Sequence, residues 1–280
     1  MTKADLHTHT NRSDGRISPG DLVQYAFDKG LGIIAVTDHD TIDGYREAKE
    51  AAKKVDIEVL AGVELTTDFK GRETHLLAYC FDHDHPDLSR LIDRHKKARV
   101  ERAKWIVEKL LNQGLDVNIN EVRAEANGSN LGRPHIASVL VDKGYVAGRQ
   151  EAFVRYLSDQ QLGTIQSEYS SLEESIDAVK KAGGVTALAH PGRSFNDREL
   201  QMMLDAGIDG IEVIHPSHDY RLQKKFEKFV EQHNLLMTGG SDYHGSGREY
   251  EKYLGILTIS ENSVDKIKRL AEQRKKLSEN

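Results

Sequence analysis

Ala4-Asp5-Leu6-His7-Thr8-His9 reads as a buried strand that ends on two histidines one residue apart. Side chains alternate along an extended segment, so His7 and His9 point to the same side. Two imidazoles on one face of a strand end can hold one metal ion. The same arrangement recurs outward from this stretch. Residues 33–36 (Ile-Ile-Ala-Val) run into Asp38-His39, residues 59–63 into Glu64, and residues 185–189 into His190. Residues 235–238 run into Gly239-Gly240-Ser241-Asp242-Tyr243-His244. Two more apolar runs, 76–79 and 211–214, bring the predicted strands to seven.

Amphipathic helices fall between most of these runs. One opens at Ser18-Pro19-Gly20-Asp21, with a capping serine, a proline in the first turn and an acid at the third position. Ser171-Leu172-Glu173-Glu174 repeats the pattern before Gly183-Gly184. Alternating strands and helices predict an α/β domain with a parallel sheet, open or closed into a barrel. In such a sheet the carboxyl ends of the strands share one face, where these folds build their active sites. The alternation breaks between about 84 and 168, which reads as an inserted helical subdomain starting with a long helix over 88–113. The barrel domain is then 1–83 with 169–280, closed by a charged helix over 263–280.

Composition narrows the function classes. The chain has 280 residues, with 39 Lys+Arg against 45 Asp+Glu, and no apolar run nears the ~20 residues of a membrane span. The single cysteine, Cys80, rules out an internal disulfide framework and suits the cytoplasm; beside an apolar strand it reads as buried and inert. Thirteen histidines, several in polar clusters at strand ends, make metal-assisted chemistry the leading expectation.

The motifs themselves resemble the PHP (polymerase and histidinol phosphatase) family. Asp5-Leu6-His7-Thr8-His9-Thr10 with Ser13-Asp14-Gly15, and Ala35-Val36-Thr37-Asp38-His39-Asp40-Thr41, look like its first two motifs. Gly62-Val63-Glu64, Thr74-His75-Leu76-Leu77, Ala189-His190-Pro191-Gly192 and Gly240-Ser241-Asp242-Tyr243-His244 follow in the family's order. The resemblance implies a distorted (β/α)7 barrel with an inserted small helical subdomain, and a trinuclear metal centre. His7, His9, Glu64 and Asp242 would hold one ion, and Asp14, His39 and His244 a second. Glu64, His75 and His190 would hold the third, with Glu64 bridging. Asp14 by itself reads as a turn residue, and His75 precedes its strand instead of ending it, so both rest on the resemblance. Histidine with carboxylate suits Mn2+, Fe2+ or Zn2+; the family points to Mn2+.

Within the family the chain is most similar to stand-alone phosphoesterases with a helical insert. The activity implied is removal of the 3′-phosphate of nucleoside 3′,5′-bisphosphates, with water acidified by two cations as the nucleophile. The alternatives are a 5′→3′ exonuclease on short 5′-phosphorylated RNA, a histidinol-phosphate phosphatase, and a non-catalytic PHP binding module. The expected partner is a small phosphorylated nucleotide or short 5′-phosphorylated oligonucleotide, with no membrane and no obligate protein partner. Residues 90–104 carry seven lysines and arginines against two acids, a local net charge of +5. A solvated helix often carries such charge. Arg99 and Arg102 nevertheless share a helix face and can clamp a phosphate, and His135 reads equally as a phosphate contact or a helix-start residue. Asp82-His83-Asp84-His85 mimics a metal clamp but reads as a solvated loop. Either His215 or His218 is expected to line the pocket.

Overall fold

The computed structural model describes residues 2–163 and 169–278. The end of the expected insert (164–168), together with Met1 and residues 279–280, lies outside the described residues. The first half runs β1 (Lys3–Thr8), α1 (Pro19–Asp28), β2 (Ile33–Val36), α2 (Asp43–Ala51), β3 (Glu58–Phe69) and β4 (Arg72–Tyr79). A helical block follows, with α3 (Pro86–Asn112), α4 (Ile119–Ala126), α5 (Arg133–Asp142), α6 (Arg149–Ala152) and α7 (Asp159–Leu162). Alternation resumes with α8 (Leu172–Lys181), β5 (Val185–Leu188), α9 (Asp197–Asp205), β6 (Gly210–Ile214), α10 (Tyr220–Gln232) and β7 (Leu236–Gly239). A two-residue strand β8 (Ile259–Ser260) and α11 (Glu261–Ser278) end it. The two capping serines act as expected: Ser18 accepts from the Asp21 amide and Ser171 from the Glu174 amide.

The strands form one sheet in the order β7-β6-β5-β4-β3-β2-β1-β8. It curls until its ends nearly meet. Across that seam the His9 amide donates to the Tyr243 carbonyl at 2.8 Å, and the Ser241 amide to Asp5 Oδ1 at 3.0 Å. The approach is close enough to demand a glycine: a Cβ on Gly240 would lie 2.5 Å from the His7 nitrogen. All seven expected strands are present, and β8, which the sequence did not announce, pairs antiparallel with the start of β1.

One expectation needs correcting. The sheet is not wholly parallel, because β4 runs antiparallel to both β3 and β5. The cause is local: Lys70 (φ 57°) and Gly71 (φ 76°) join β3 to β4 in a two-residue turn. Positive φ at both central residues suits the right-handed twist of a hairpin, so no helix crosses between these strands. The reversal carries the start of β4 to the rim where the parallel strands end.

The helices between β4 and β5 gather an apolar cluster distinct from the barrel's. Ile106, Leu110, Val122, Ile136, Leu140 and Leu157 are each at most 1% exposed within it. Each such side chain contributes roughly 1.5–3 kcal/mol, so this block holds itself together while it leans on the barrel rim through α3 and α8. Among the described residues no helix is long and apolar enough to cross a membrane.

Candidate metal centre

All nine residues expected as ligands converge on the rim, and Glu64 stands at the middle. Its Oε2 lies 3.2 Å from Nε2 of both His7 and His9 and 3.3 Å from His39 Nδ1. Its Oε1 lies 2.9 Å from both His75 Nδ1 and His190 Nε2. Asp242 Oδ1 completes a first cluster, 3.4 Å from His7 Nε2 and 3.2 Å from His9 Nε2. A second cluster brings Asp14, His39 and His244 together with His9, with His244 Nε2 3.3 Å from Asp14 Oδ1. His75 joins because β4 is reversed: it pairs with Thr66, two residues along β3 from Glu64, and so shares its face.

The local backbone is shaped for this. His190 (φ 27°) and Asp242 (φ 51°) adopt the left-handed region that side chains rarely enter, a strain typical of functional positions. Gly15 lets the loop after β1 fold back, since a Cβ there would meet the His9 carbonyl at 2.7 Å. Asp38, quoted beside His39 as a strand-end acid, does a different job. Its oxygens accept from the Thr10 amide, the Thr10 hydroxyl and the Ser13 hydroxyl at 2.6–2.7 Å, which fixes the loop that presents Asp14.

The donor set fits divalent cations. His9 Nδ1 and Nε2, His39 Nδ1 and His75 Nδ1 are buried and make no hydrogen bond among the described residues. A buried polar atom left unsatisfied costs about 1–3 kcal/mol, and a cation shared with the facing carboxylates removes that cost. Burial opposes the charge on Glu64, Asp14 and Asp242, yet the surrounding imidazoles hold all three well below the usual carboxylate range. Burial drives His39 down to about 3, leaving a neutral ring with a lone pair to give. Burial also works against charge on His75 and His244, but the facing carboxylates lift them to about 9 and about 10. A metal ion would displace those protons.

Sequence reasoning missed the layer behind the ligands. Glu212 on β6 is fully buried; its Oε1 lies 2.8 Å from His7 Nδ1, and its Oε2 accepts from the His190 amide at 2.7 Å. A carboxylate behind a ligating histidine sets the ring's orientation and tautomer. Glu212 interrupts an apolar strand, and that interruption was the available signal. Of the two unresolved histidines, His215 is the one facing the centre, with Nε2 3.3 Å from Asp242 Oδ2. His218 instead fastens loops, bonding the Val213 carbonyl and the Gly192 amide.

The comparisons with known proteins agree with this geometry. The PHP domain model matches residues 5–157. A Haemophilus influenzae protein named 5'-3' exoribonuclease is 35% identical over 87% of this chain and 91% of its own length. The chain belongs to the PHP family. A 3',5'-nucleoside bisphosphate phosphatase of Chromobacterium violaceum is 32% identical, covering 88% of this chain and 89% of its own. A solved Bifidobacterium adolescentis structure, provisionally described as a metal-dependent phosphoesterase, superposes with a TM-score of 0.87 at 34% identity. It covers 95% of this chain and 96% of that one. The chain is thus an enzyme, a metal-dependent phosphoesterase of the PHP family with an α/β barrel.

On the insert side of this PHP centre lies a pocket of about 120 Å³ lined by Arg99, Arg102 and Arg133, and it opens on Asp14, His39 and His75. That is well below the ~300 Å³ at which small-molecule pockets begin, so it has the scale of a single charged group. Arg102 and Arg133 both pair with Glu73. Arg99 is already engaged: it donates to Asp40 Oδ2 at 2.5 Å, to Thr66 Oγ1 at 2.8 Å and to the Leu131 carbonyl at 3.3 Å. Asp40 also contacts His95 Nδ1 at 2.8 Å, and His95 Nε2 reaches Ser170 at 2.6 Å, a fully buried chain tying α3 to the rim. Burial opposes charge on Asp40, but Arg99 and His95 hold it well below its ordinary value. His135 sits at the start of α5, its Nδ1 accepting from the Gly132 amide at 3.1 Å; it is not among the residues lining this pocket.

The mimics resolve cleanly. Asp82, His83 and Asp84 lie close together in a solvated turn, where Asp84 pairs with Arg46 at 2.8 Å. His85 caps α3. Cys80 is largely covered, and burial pushes its thiol up to about 11.

Proposed function

We propose that this enzyme removes the 3′-phosphate of nucleoside 3′,5′-bisphosphates, using up to three divalent ions with Mn2+ preferred. His7, His9, Glu64 and Asp242 would hold the first ion, Asp14, His39 and His244 the second, and Glu64, His75 and His190 the third. When bound, such ions neutralise phosphate oxygens and lower the pKa of water. The barrel, residues 1–83 and 169–280, supplies this centre. The helical subdomain, residues 84–168, supplies selectivity. A single thiol suits the cytoplasm.

The observation that carries the reading is a small arginine pocket next to a site built for a phosphate. Three guanidiniums against Glu73 and Asp40 leave that side net positive, so it favours a substrate with a second phosphate. Arg102 and Arg133 would bind the 5′-phosphate and orient the nucleotide, in competition with Glu73. Arg99 would hold the pocket's wall and contribute the donors that Asp40, Thr66 and Leu131 leave over. His135 would act through the start of α5, which carries Arg133. Histidinol phosphate has no second phosphate for these arginines, and an intact ligand set argues against a binding-only module. Short 5′-phosphorylated RNA is the second reading, favoured by an open cleft on the other side of the centre.

Phosphate release from adenosine 3′,5′-bisphosphate with Mn2+, with and without chelator, tests the proposal. Chelator-sensitive release yielding AMP is expected. Arg102→Ala should cost roughly 10–100-fold in kcat/KM on the bisphosphate, the worth of a charged hydrogen bond, and far less on p-nitrophenyl phosphate. Equal losses on the two substrates would refute the second-phosphate role.

A further inference from the structure

The metal centre opens in two directions. The arginine pocket reaches it at Asp14, His39 and His75. On the other side a cleft of about 930 Å³ reaches it at Asp14, Asp242 and His244, and Pro134 and Phe153 form the wall common to both. A nucleoside bisphosphate has two phosphates, one for the centre and one for the small pocket. It leaves the charged groups of the larger cleft without a counterpart.

Its cationic groups are arginines drawn from separate elements, set among the carboxylates of Asp14, Glu125, Asp142, Asp242 and Glu249. Arg16 comes from the loop that carries Asp14, Arg149 from the start of α6, and Arg248 from the loop after His244. Arg16 and Arg149 line the same cleft; burial depresses Arg149 first, and the charge of Arg16 depresses it further. Arg149 Nη1 is buried with no hydrogen-bond partner among the described residues. Its Nη2 bonds Ser138 Oγ and stands 3.6 Å from Glu125, its nearest acid. The other acids of the wall, Asp142 and Glu249, are exposed, as is Arg16, and water and salt screen all three; Arg149 and Arg248 are half-buried. Arg248 donates to the Asp14 carbonyl at 2.7 Å, which joins this wall to a loop of the metal centre. Half-buried Tyr250 offers a ring in the same cleft, and stacking on an aromatic ring is how single-stranded bases are held without sequence preference.

We infer that this cleft is the track for a single-stranded oligonucleotide beyond the scissile phosphate, with the next phosphate of the strand between Arg16 and Arg149 and its base against Tyr250. The substrate is then read at three phosphates: the 5′-terminal one in the Arg102 pocket, the scissile one at the metal centre, and a third in the cleft. The inference rests on the phosphoesterase reading above and selects its 5′-phosphorylated oligonucleotide branch.

Counting phosphates tests it. Binding of pApA and pApAp, which differ by one 3′-phosphate, would be measured by isothermal titration in EDTA. The extra phosphate should tighten binding to the wild type about tenfold, as a charged hydrogen bond does. Arg16→Gln or Arg149→Gln should erase that gain and flatten the salt dependence by about 0.7 in log–log slope, one fewer phosphate contact on a single strand. No gain in the wild type, or a gain that survives both substitutions, overturns the inference. Turnover with Mn2+ is read separately. If pApAp and adenosine 3′,5′-bisphosphate both stay intact while the arginine-dependent gain persists, the phosphoesterase substrate reading falls and the cleft stands. Turnover without the gain sinks the cleft alone.

Discussion

The barrel side and the insert side of the site are assembled on different plans. On the barrel side, side chains at strand ends hang from a backbone locked into the sheet; His7, His9, Asp14 and Glu64 are buried and the other five half-buried. Their carboxylates and imidazoles crowd one another, with several ring nitrogens unsatisfied, an arrangement that a cation resolves. On the insert side, arginines reach in from helices: Arg99 pairs with Asp40, and Arg102 and Arg133 share Glu73. The first side is incomplete without metal; the second is internally paired and must trade one anion for another. On the proposed reading, chemistry belongs to the rim and discrimination to the insert.

The strongest way to break this division is at the rim. His9→Ala or Asp242→Ala should abolish turnover of every phosphate ester, p-nitrophenyl phosphate included, in steady-state assays. Near-normal rates in either variant would remove the rim from the chemistry.

At the joint between the two sides, Asp40→Ala leaves Arg99 buried beside an empty partner position. Removing one member of a buried ion pair costs about 3–5 kcal/mol, readable as a shift in urea midpoint at pH 7. The pH dependence has a definite sign. Arg99 and His95 hold the Asp40 carboxyl well below its ordinary 3.8, so its contribution is present above that value and lost as acid titrates it below. The gap between wild type and Asp40→Ala should then narrow as pH falls from 5 toward 2. A gap that is constant over that range would show that the charge of Asp40 is not what holds α3.

Behind the ligands, Glu212→Gln should lower metal affinity about 10–100-fold, as loss of a partner behind ligating histidines does. Competition with a chelator measures it, and unchanged affinity would make Glu212 a packing residue only. The smallest effect is expected in the turn that looks like a clamp. His83→Ala should stay within about 0.5 kcal/mol in stability and leave metal content as it was. A lost equivalent of metal there would mean that residue type, and not convergence, decides a site.

Much of this organisation was legible in local pattern. Runs such as 33–36 and 185–188 are short, apolar and bounded, the capping serines announce α1 and α8, and His7-x-His9 declares a shared face. The reversal of β4 was harder to see, because an apolar run has no direction; only the Lys70-Gly71 turn betrays it, and that turn is what brings His75 to the rim. His215 and His218 sit in one motif, yet one faces Asp242 and the other ties down Gly192. Glu212 looked like a stray polar residue until β6 placed it behind β1.

By itself, then, the sequence announced alternating strands and helices, the break at the helical insert and the histidines and carboxylates at the strand ends, since periodicity, capping and strand-end chemistry are short-range properties. The closed barrel and the places of Asp14 and His75 in the expected ligand set came from the family resemblance. Tertiary structure alone decided that Glu64 stands at the centre, that Arg99 answers to Asp40, that His135 caps a helix, and that three arginines line a second cleft. Those outcomes depend on distances between residues far apart in the chain, set by barrel closure and by the seating of the insert. Charges so placed are balanced across space, and spacing along the chain cannot report that.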